Sequence, residues 1–337
     1  MHVTSYRSFP VFIIIFLQCL SFTKKASAHE GWGIVVDTYG QIYFSDIPTN
    51  TIWKINRMGK LQVAVANQHS HALIFGGDGN IYGSHENGRV WKITPDNHYT
   101  EILAPNPNFP LNLHCFNIDG KGNIYSMNAK GVQTGQVMLL KRSTDGNVTA
   151  IAGSKKGYKD GKGKESQFIW IDGMTWAPDS SLYLTDGPYV RKVTMDGVVS
   201  TVSGQLTTES MGEDLMGLTV SSTGDLFIAD YSSRRILKIN KEGKIETILQ
   251  SGGVWSPTGV AVVGQELYVI EHLRIPLVVL GNIGIGPYIR IRKVAANETI
   301  TTLHTVWGKN TYLLLIVLFC IIFLAKYFKR LRKHAKS

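Results

Sequence analysis

The stretch Ala152–Asp186, AGSKKGYKDGKGKESQFIWIDGMTWAPDSSLYLTD, decides the fold. A loop rich in glycine and lysine leads into a short apolar strand, Met174 to Ala177. A turn follows at Pro178 to Ser181, and a second strand, Leu182 to Thr185, ends in Asp186. Short β-branched and aromatic runs bounded by Gly, Pro, Asp and Ser read as strands joined by tight turns.

The same unit recurs six times between Gly33 and Trp307, as in GIVVDTYGQIYFSD from Gly33 and GLTVSSTGDLFIAD from Gly217. After each hairpin come a polar loop, a third strand ending in Lys-Ile or similar, an Asp-Gly or Glu-Gly turn, and a fourth strand. The central aromatics of the six copies are Tyr43, Tyr82, Tyr125, Tyr183, Phe227 and Tyr268, spaced by 39, 43, 58, 44 and 41 residues. Four-stranded units of about 40 residues, with no helical linkers, predict a closed all-β six-bladed propeller. Two insertions break the period: Ser154–Trp170 before the fourth copy, and the apolar Leu273–Pro287 within the sixth. The repeated lysines read as solvated neighbours of the sheet, and the glycine run 157–163 as a connector, because no GKS or GKT opens a helix there.

Of 35 basic residues, Arg7, Lys24 and Lys25 precede position 29 and six more lie in Lys326–Lys336, so 26 face the 25 acidic residues of the centre. The net charge of +10 therefore belongs to the tails, which argues against a nucleic-acid partner. The apolar run Phe9–Leu20 followed by Ala26-Ser27-Ala28 reads as a secretory signal, or an uncleaved anchor, over 1–28. Tyr312–Ala325 is apolar and ends in a basic run, which predicts a C-terminal transmembrane helix over 311–327 and a basic cytoplasmic tail over 328–337. The domain at 29–310 then stands on the extracytoplasmic side of a single-pass membrane protein. Asn147-Val148-Thr149 and Asn297-Glu298-Thr299 are glycosylation sequons. Cys115 is the domain's sole cysteine, so no disulfide braces it.

With AGSKKGYKDGKGKESQF, LYLTD and GDLFIADYSSRRILKINKEG, the chain resembles the NHL-repeat propellers. It is also similar in part to the senescence-marker/gluconolactonase group, six-bladed propellers that hold a divalent cation at the channel and hydrolyse lactones. That resemblance implies a metal-binding glutamate at Glu30, a second oxygen ligand at Asp172 in IDGMTWAPD, and a substrate-side asparagine at Asn112. Its third ligand falls on Met216, whose thioether suits a hard cation poorly; Asp214 lies two residues earlier.

In a propeller, the loops entering the innermost strands meet at one end of the central channel. Histidines concentrate at these junctions: His29, His69, His71, His114 and, at the ends of second strands, His85 and His272 beside Glu271. Imidazole with carboxylate suits zinc, whereas Glu30, Asp172 and Asn112 without histidine suit calcium. The expected roles are metal binding for Glu30, Asp172 and Asn112 and proton transfer for His71 and His114. His29, His69, His85, Asp214, Glu271 and His272 stand as further channel candidates. No nucleotide or organic cofactor is expected. Two functions stay open: a metal-dependent hydrolase of lactones or related esters, or a non-catalytic propeller that binds a small molecule or protein at the channel mouth or through Leu273–Pro287.

Overall fold

The computed structural model describes residues 30–68, 70–85, 87–106, 108–128, 131–207, 215–273 and 287–308, with Thr311, Phe319, Ile322, Phe323 and Lys326 beyond them. Among these residues the strands form six antiparallel sheets, each drawn from one continuous stretch of chain. The first blade is Ile34–Val36, Ile42–Asp46, Thr51–Ile55 and Leu61–Ala66; the second is Leu73–Phe75, Ile81–Ser84, Val90–Ile93 and Tyr99–Leu103. The third is Leu111–Ile118, Ile124–Asn128, Gln136–Arg142 and Val148–Lys155; the fourth, Ile171–Trp176, Leu182–Asp186, Tyr189–Val193 and Val198–Thr201. The fifth is Leu215–Val220, Leu226–Asp230, Arg235–Ile239 and Ile245–Gln250, and the sixth Trp255–Val263, Glu266–Leu273, Pro287–Val294 and Ile300–Trp307. Inner strands of neighbouring blades pack on one another, the second blade meeting the inner strand of the third through Ile81–Ser84, and the first meets the last, which makes the six-bladed propeller. Residues His29–Arg274 and Ile289–Thr305 form one compact unit; a second, Met1–Ala28, Ile275–Tyr288 and Val306–Ser337, lies mostly outside the described residues.

Glycine lets the inner strands approach closely. A methyl group at Gly259 would stand 2.0 Å from the Trp32 carbonyl oxygen, and one at Gly173 would stand 2.4 Å from that of Met216. The ring closes where Thr258 Oγ1 donates to the Gly31 carbonyl at 2.9 Å. Apolar side chains fill the wedges between blades, with Val35, Tyr43, Ile52, Leu73, Ile81 and Trp91 packed together between the first two.

The marker aromatics belong to a repeated arrangement larger than the sequence suggested. In five blades the third-strand lysine lies over the second-strand ring: Lys54 on Tyr43, Lys141 on Tyr125, Lys192 on Tyr183, Lys238 on Phe227 and Lys293 on Tyr268, at 5.7–5.9 Å. In the last three blades an acid of the hairpin turn, or of the first strand position after it, pairs with that lysine: Asp179–Lys192 at 2.6 Å, Asp225–Lys238 at 3.0 Å and Glu266–Lys293 at 2.6 Å. In the second and third blades the tyrosine hydroxyl takes the acid instead, at 2.6 Å for Tyr82–Asp78 and 3.0 Å for Tyr125–Asp119. The lysines are thus part of the blade surface packing, not merely solvated.

The Ser154–Trp170 insertion is also built into its blade. Gly161–Lys162 adds a fifth strand on Val198–Val199, and Gly163–Glu165 makes one 3₁₀ turn. Arg191, fully buried, clamps the insertion by donating to the Lys159 carbonyl (3.0 Å), Asp160 (2.8 Å), the Gln167 carbonyl (3.2 Å) and Asp186 (2.6 Å). Its guanidinium lies 4.9 Å from the Tyr158 ring and 5.4 Å from that of Phe168. The inner strand of this blade begins at Ile171, three residues before the sequence expectation, because Ile171 pairs with Asp186 across a bulge.

The expected leader over 1–28, most of the span over 311–327 and nearly all of Leu273–Pro287 lie outside the described residues. Among the described residues, no helix is long and apolar enough to cross a membrane.

Candidate active site at the channel entrance

A register irregularity recurs on the inner strands and builds this end of the channel. In the third blade, Phe116 faces Ser126 while Asn112 faces Met127, so Leu113–Cys115 bulge out of the ladder. The fourth, fifth and sixth blades break register around Asp172, Met216 and Thr258. Bulges re-aim side chains that a regular ladder would hold in its faces. Hydroxyls of the second strands brace them: Thr185 Oγ1 accepts from Gly173 N at 2.6 Å and donates to the Met216 carbonyl at 2.9 Å. The Ser126 hydroxyl reaches the carbonyl of Cys115 at 2.5 Å and also that of Asn112.

His114, on its bulge, comes together with His71 from the entry to the second blade. Their ring centroids are 3.8 Å apart with planes tilted by 41°. Trp32 lies against both, at 4.6 Å from His114 and 5.5 Å from His71. His71 is buried and His114 half-buried. Backbone contacts fix the pair: Trp32 N donates to the His71 carbonyl at 2.9 Å, and His114 N donates to Asn112 Oδ1 at 3.1 Å. Ser70, next to His71, accepts from Ser84 N at 2.9 Å and bonds to the Ala72 carbonyl at 2.5 Å.

The two carboxylates each meet an aromatic donor. Tyr231 Oη donates to Glu30 Oε1 at 2.9 Å, and Trp170 Nε1 donates to Asp172 Oδ1 at 2.6 Å. Burial, with the Asp172 charge adding to it, pushes the Cys115 thiol well above its ordinary range, so this cysteine is inert as a nucleophile. At the seam between the sixth and first blades, His272 Nδ1 lies 2.9 Å from Thr258 Oγ1. Thr258 spends its one proton on the Gly31 carbonyl, so His272 must donate from Nδ1 and keep a lone pair on Nε2. Among the described residues Nε2 makes no hydrogen bond. Burial pushes the His272 pKa down to about 3, and the ring is neutral at neutral pH.

The remaining candidates go elsewhere. Glu271 is fully buried and committed within the sixth blade, accepting from Ser251 Oγ and from Arg290 Nε at 2.5 Å each. The other carboxylates ending second strands behave alike: Asp46 accepts from Trp53 Nε1 at 2.9 Å, Asp186 from Arg191 at 2.6 Å, and Asp230 from Arg235 at 2.8 Å. His85 closes its own turn, Nδ1 accepting from Asn87 N at 3.2 Å. His29, His69 and Asp214 lie outside the described residues.

Sequence reasoning missed Tyr231, Trp32 and Trp170. Tyr231 was within reach, because it follows Asp230 as His272 follows Glu271; the second-strand ends needed to be read one residue further.

Glu30, Asp172 and Asn112 bring oxygen donors of the kind a hard divalent cation takes. Among the described residues no three His, Cys, Asp or Glu side chains converge on a point. Glu30 Oε1, Asp172 Oδ1 and Asn112 Oδ1 accept hydrogen bonds from Tyr231, Trp170 and the His114 amide, which orients these oxygens, while Met216 brings sulfur to the fifth bulge.

The family described as SMP-30/gluconolactonase/LRE-like region matches residues 31–271. No curated protein sequence matches the chain. Among solved structures, a streptogramin B lyase is 16% identical, with 86% of this chain and 87% of that chain covered and a TM-score of 0.53. A gluconolactonase from Xanthomonas campestris is 12% identical over 72% of this chain and 83% of its own, with a TM-score of 0.53. The calcium-binding protein regucalcin from Agrobacterium tumefaciens is 16% identical over 83% and 92%, again with a TM-score of 0.53. At such identities these structures share the fold.

Proposed function

The chain belongs to the SMP-30/gluconolactonase/LRE-like family, and from that premise we propose that the channel end around His71 and His114 is the hydrolytic site of an enzyme acting on lactones or related esters. The observation that carries the reading is the 3.8 Å approach of the two imidazoles. Lactone hydrolysis needs a proton taken from the attacking water and another given to the departing ring oxygen. Two adjacent imidazoles in opposite protonation states supply both. Half-buried His114 takes the proton of the water as its oxygen bonds to the carbonyl carbon. His71 gives a proton to the ring oxygen as the C–O bond breaks, and the product is a hydroxy acid. Trp32 packs both rings in place.

Glu30, Asp172 and Asn112 would hold a divalent cation, which would supply polarisation of the lactone carbonyl. Metal content of the purified protein, compared with Glu30→Gln, tests that point separately.

The reading is tested by hydrolysis of a panel of γ- and δ-lactones by the purified chain and by His71→Asn and His114→Asn. We expect kcat/KM to fall at least about 100-fold in each variant with the circular dichroism unchanged. A wild-type chain that hydrolyses no lactone or ester, yet retains ligand or protein binding, would be the non-catalytic propeller scaffold instead.

The proposal includes membrane anchoring with the propeller on the extracytoplasmic side, supported by the apolar runs at both ends of the sequence. Protease accessibility in intact cells, with sequon occupancy where the host glycosylates, tests it.

A further inference from the structure

We propose that the opposite mouth of the channel is a second binding site, for a small organic anion with an aliphatic body, of the medium-chain carboxylate kind. All inner strands run the same way, so the candidate active site lies at their starts and the hairpin turns lie at their ends. At the turn end there is a cavity of about 900 Å³, walled by all six blades. From Asp172 to Trp176, which lines it, the strand rises roughly 13 Å. Its described lining includes none of Glu30, His71, His114 or Asp172. The volume falls within the range of sites that enclose small organic molecules.

The chemistry of the wall names the ligand. Val36, Ile74, Leu218 and Val262, from four different blades, give it an aliphatic floor. Asn117 is engaged by the wall itself: its Nδ2 donates to the Met174 carbonyl at 3.1 Å, and its Oδ1 accepts from Ile118 N at 2.8 Å. Charge enters from the third blade alone, through Lys121, Lys141 and Asp119. Asp119 is held ionised in its own turn, accepting from the amides of Lys121 and Asn123 at 2.9 Å each, from Asn123 Nδ2 at 2.7 Å and from Tyr125 at 3.0 Å, and the two lysines outnumber it.

The lysines equivalent to Lys141 in the last three blades have the acid at their hairpin as partner. Among the described residues, neither Lys121 nor Lys141 meets a carboxylate. A one-sided positive rim over an aliphatic floor selects a molecule with an anionic head and an apolar tail. In the same wall, the shielded Trp176 Nε1 has no acceptor among the described residues, and a small turn of the indole would offer it to the head group.

The test is calorimetric titration of the full chain with octanoate, octanol and octylamine. We expect saturable octanoate binding at one site, at least about tenfold tighter than octanol, with octylamine weaker still. The Lys121→Gln/Lys141→Gln double variant should bring octanoate down to the octanol level. Leu218→Trp should fill the cavity and abolish both, with thermal melting to verify that each variant folds. The proposal is overturned if octanoate shows no saturable binding, if the three ligands bind alike, or if a folded Leu218→Trp chain binds octanoate as the wild type does.

Discussion

Tyr231 Oη donates to Glu30 Oε1 at 2.9 Å, across 201 positions of sequence. The bond ties the fifth blade to the chain as it enters the first. It also gives Glu30 a neutral partner at the place where the family resemblance implies a metal ligand.

Replacing Tyr231 with Phe removes the donor from a carboxylate that is half withdrawn from water. The expected loss is about 1–2 kcal/mol of stability, read from urea denaturation at neutral pH. An unchanged midpoint and slope would show that the bond carries no weight in solution.

His272 makes stability depend on pH. Its pKa is pushed down to about 3 by burial, whereas in the unfolded chain it titrates near 6.5. Between these values the unfolded state holds the extra proton, so this contribution is complete above pH 6.5 and declines as pH falls toward 3. At pH 5 the loss should be about 2 kcal/mol relative to pH 7.5. Denaturation curves at both values should show it in the wild type and a smaller decline in His272→Gln; parallel declines would refute the assignment.

Arg191 holds the glycine-rich insertion by its four acceptors and two aromatic faces. Arg191→Met leaves Asp186 buried without its cation, a change that costs about 3–5 kcal/mol in comparable pairs. Thermal melting should register the loss, and trypsin should cut at Lys159–Lys164 much earlier than in the wild type. Equal cleavage rates would mean that the insertion keeps its place without the clamp.

Gly259→Ala sets a methyl group against the Trp32 carbonyl at the closure of the ring. The strands must separate there, at a cost of about 1–3 kcal/mol. Gly252→Ala, with nothing within 4 Å of the added carbon, is the matched control and should melt with the wild type.

The blades were legible because a turn and a marker aromatic recur at nearly constant spacing, and closely matched hairpins must pack alike. His71 and His114 were legible as junction residues, since topology alone brings inner-strand starts together. The bulges were not: whether Asp172 projects from its strand depends on a register break between Ile171 and Met174, which no residue type announces. Nor was the fate of the second-strand carboxylates. Glu271 and Asp230 look like channel acids in sequence, yet the arginine each one meets comes from the third strand of the same blade. The lysine–aromatic–acid pattern was half visible, because its acid sits at the hairpin and was counted there for turn geometry alone.

Among the described residues each blade is one uninterrupted piece of chain with no strand exchanged between blades, and the first and last meet through Thr258 and Gly31. The gene therefore reads as a string of whole modules. A tandem duplication or deletion of about 40 codons adds or removes a complete wedge and rethreads nothing. Under tension applied at the two ends, such a ring has a clasp: it is expected to part at Gly31 and Thr258 and swing open as an arc of intact blades before any sheet unravels.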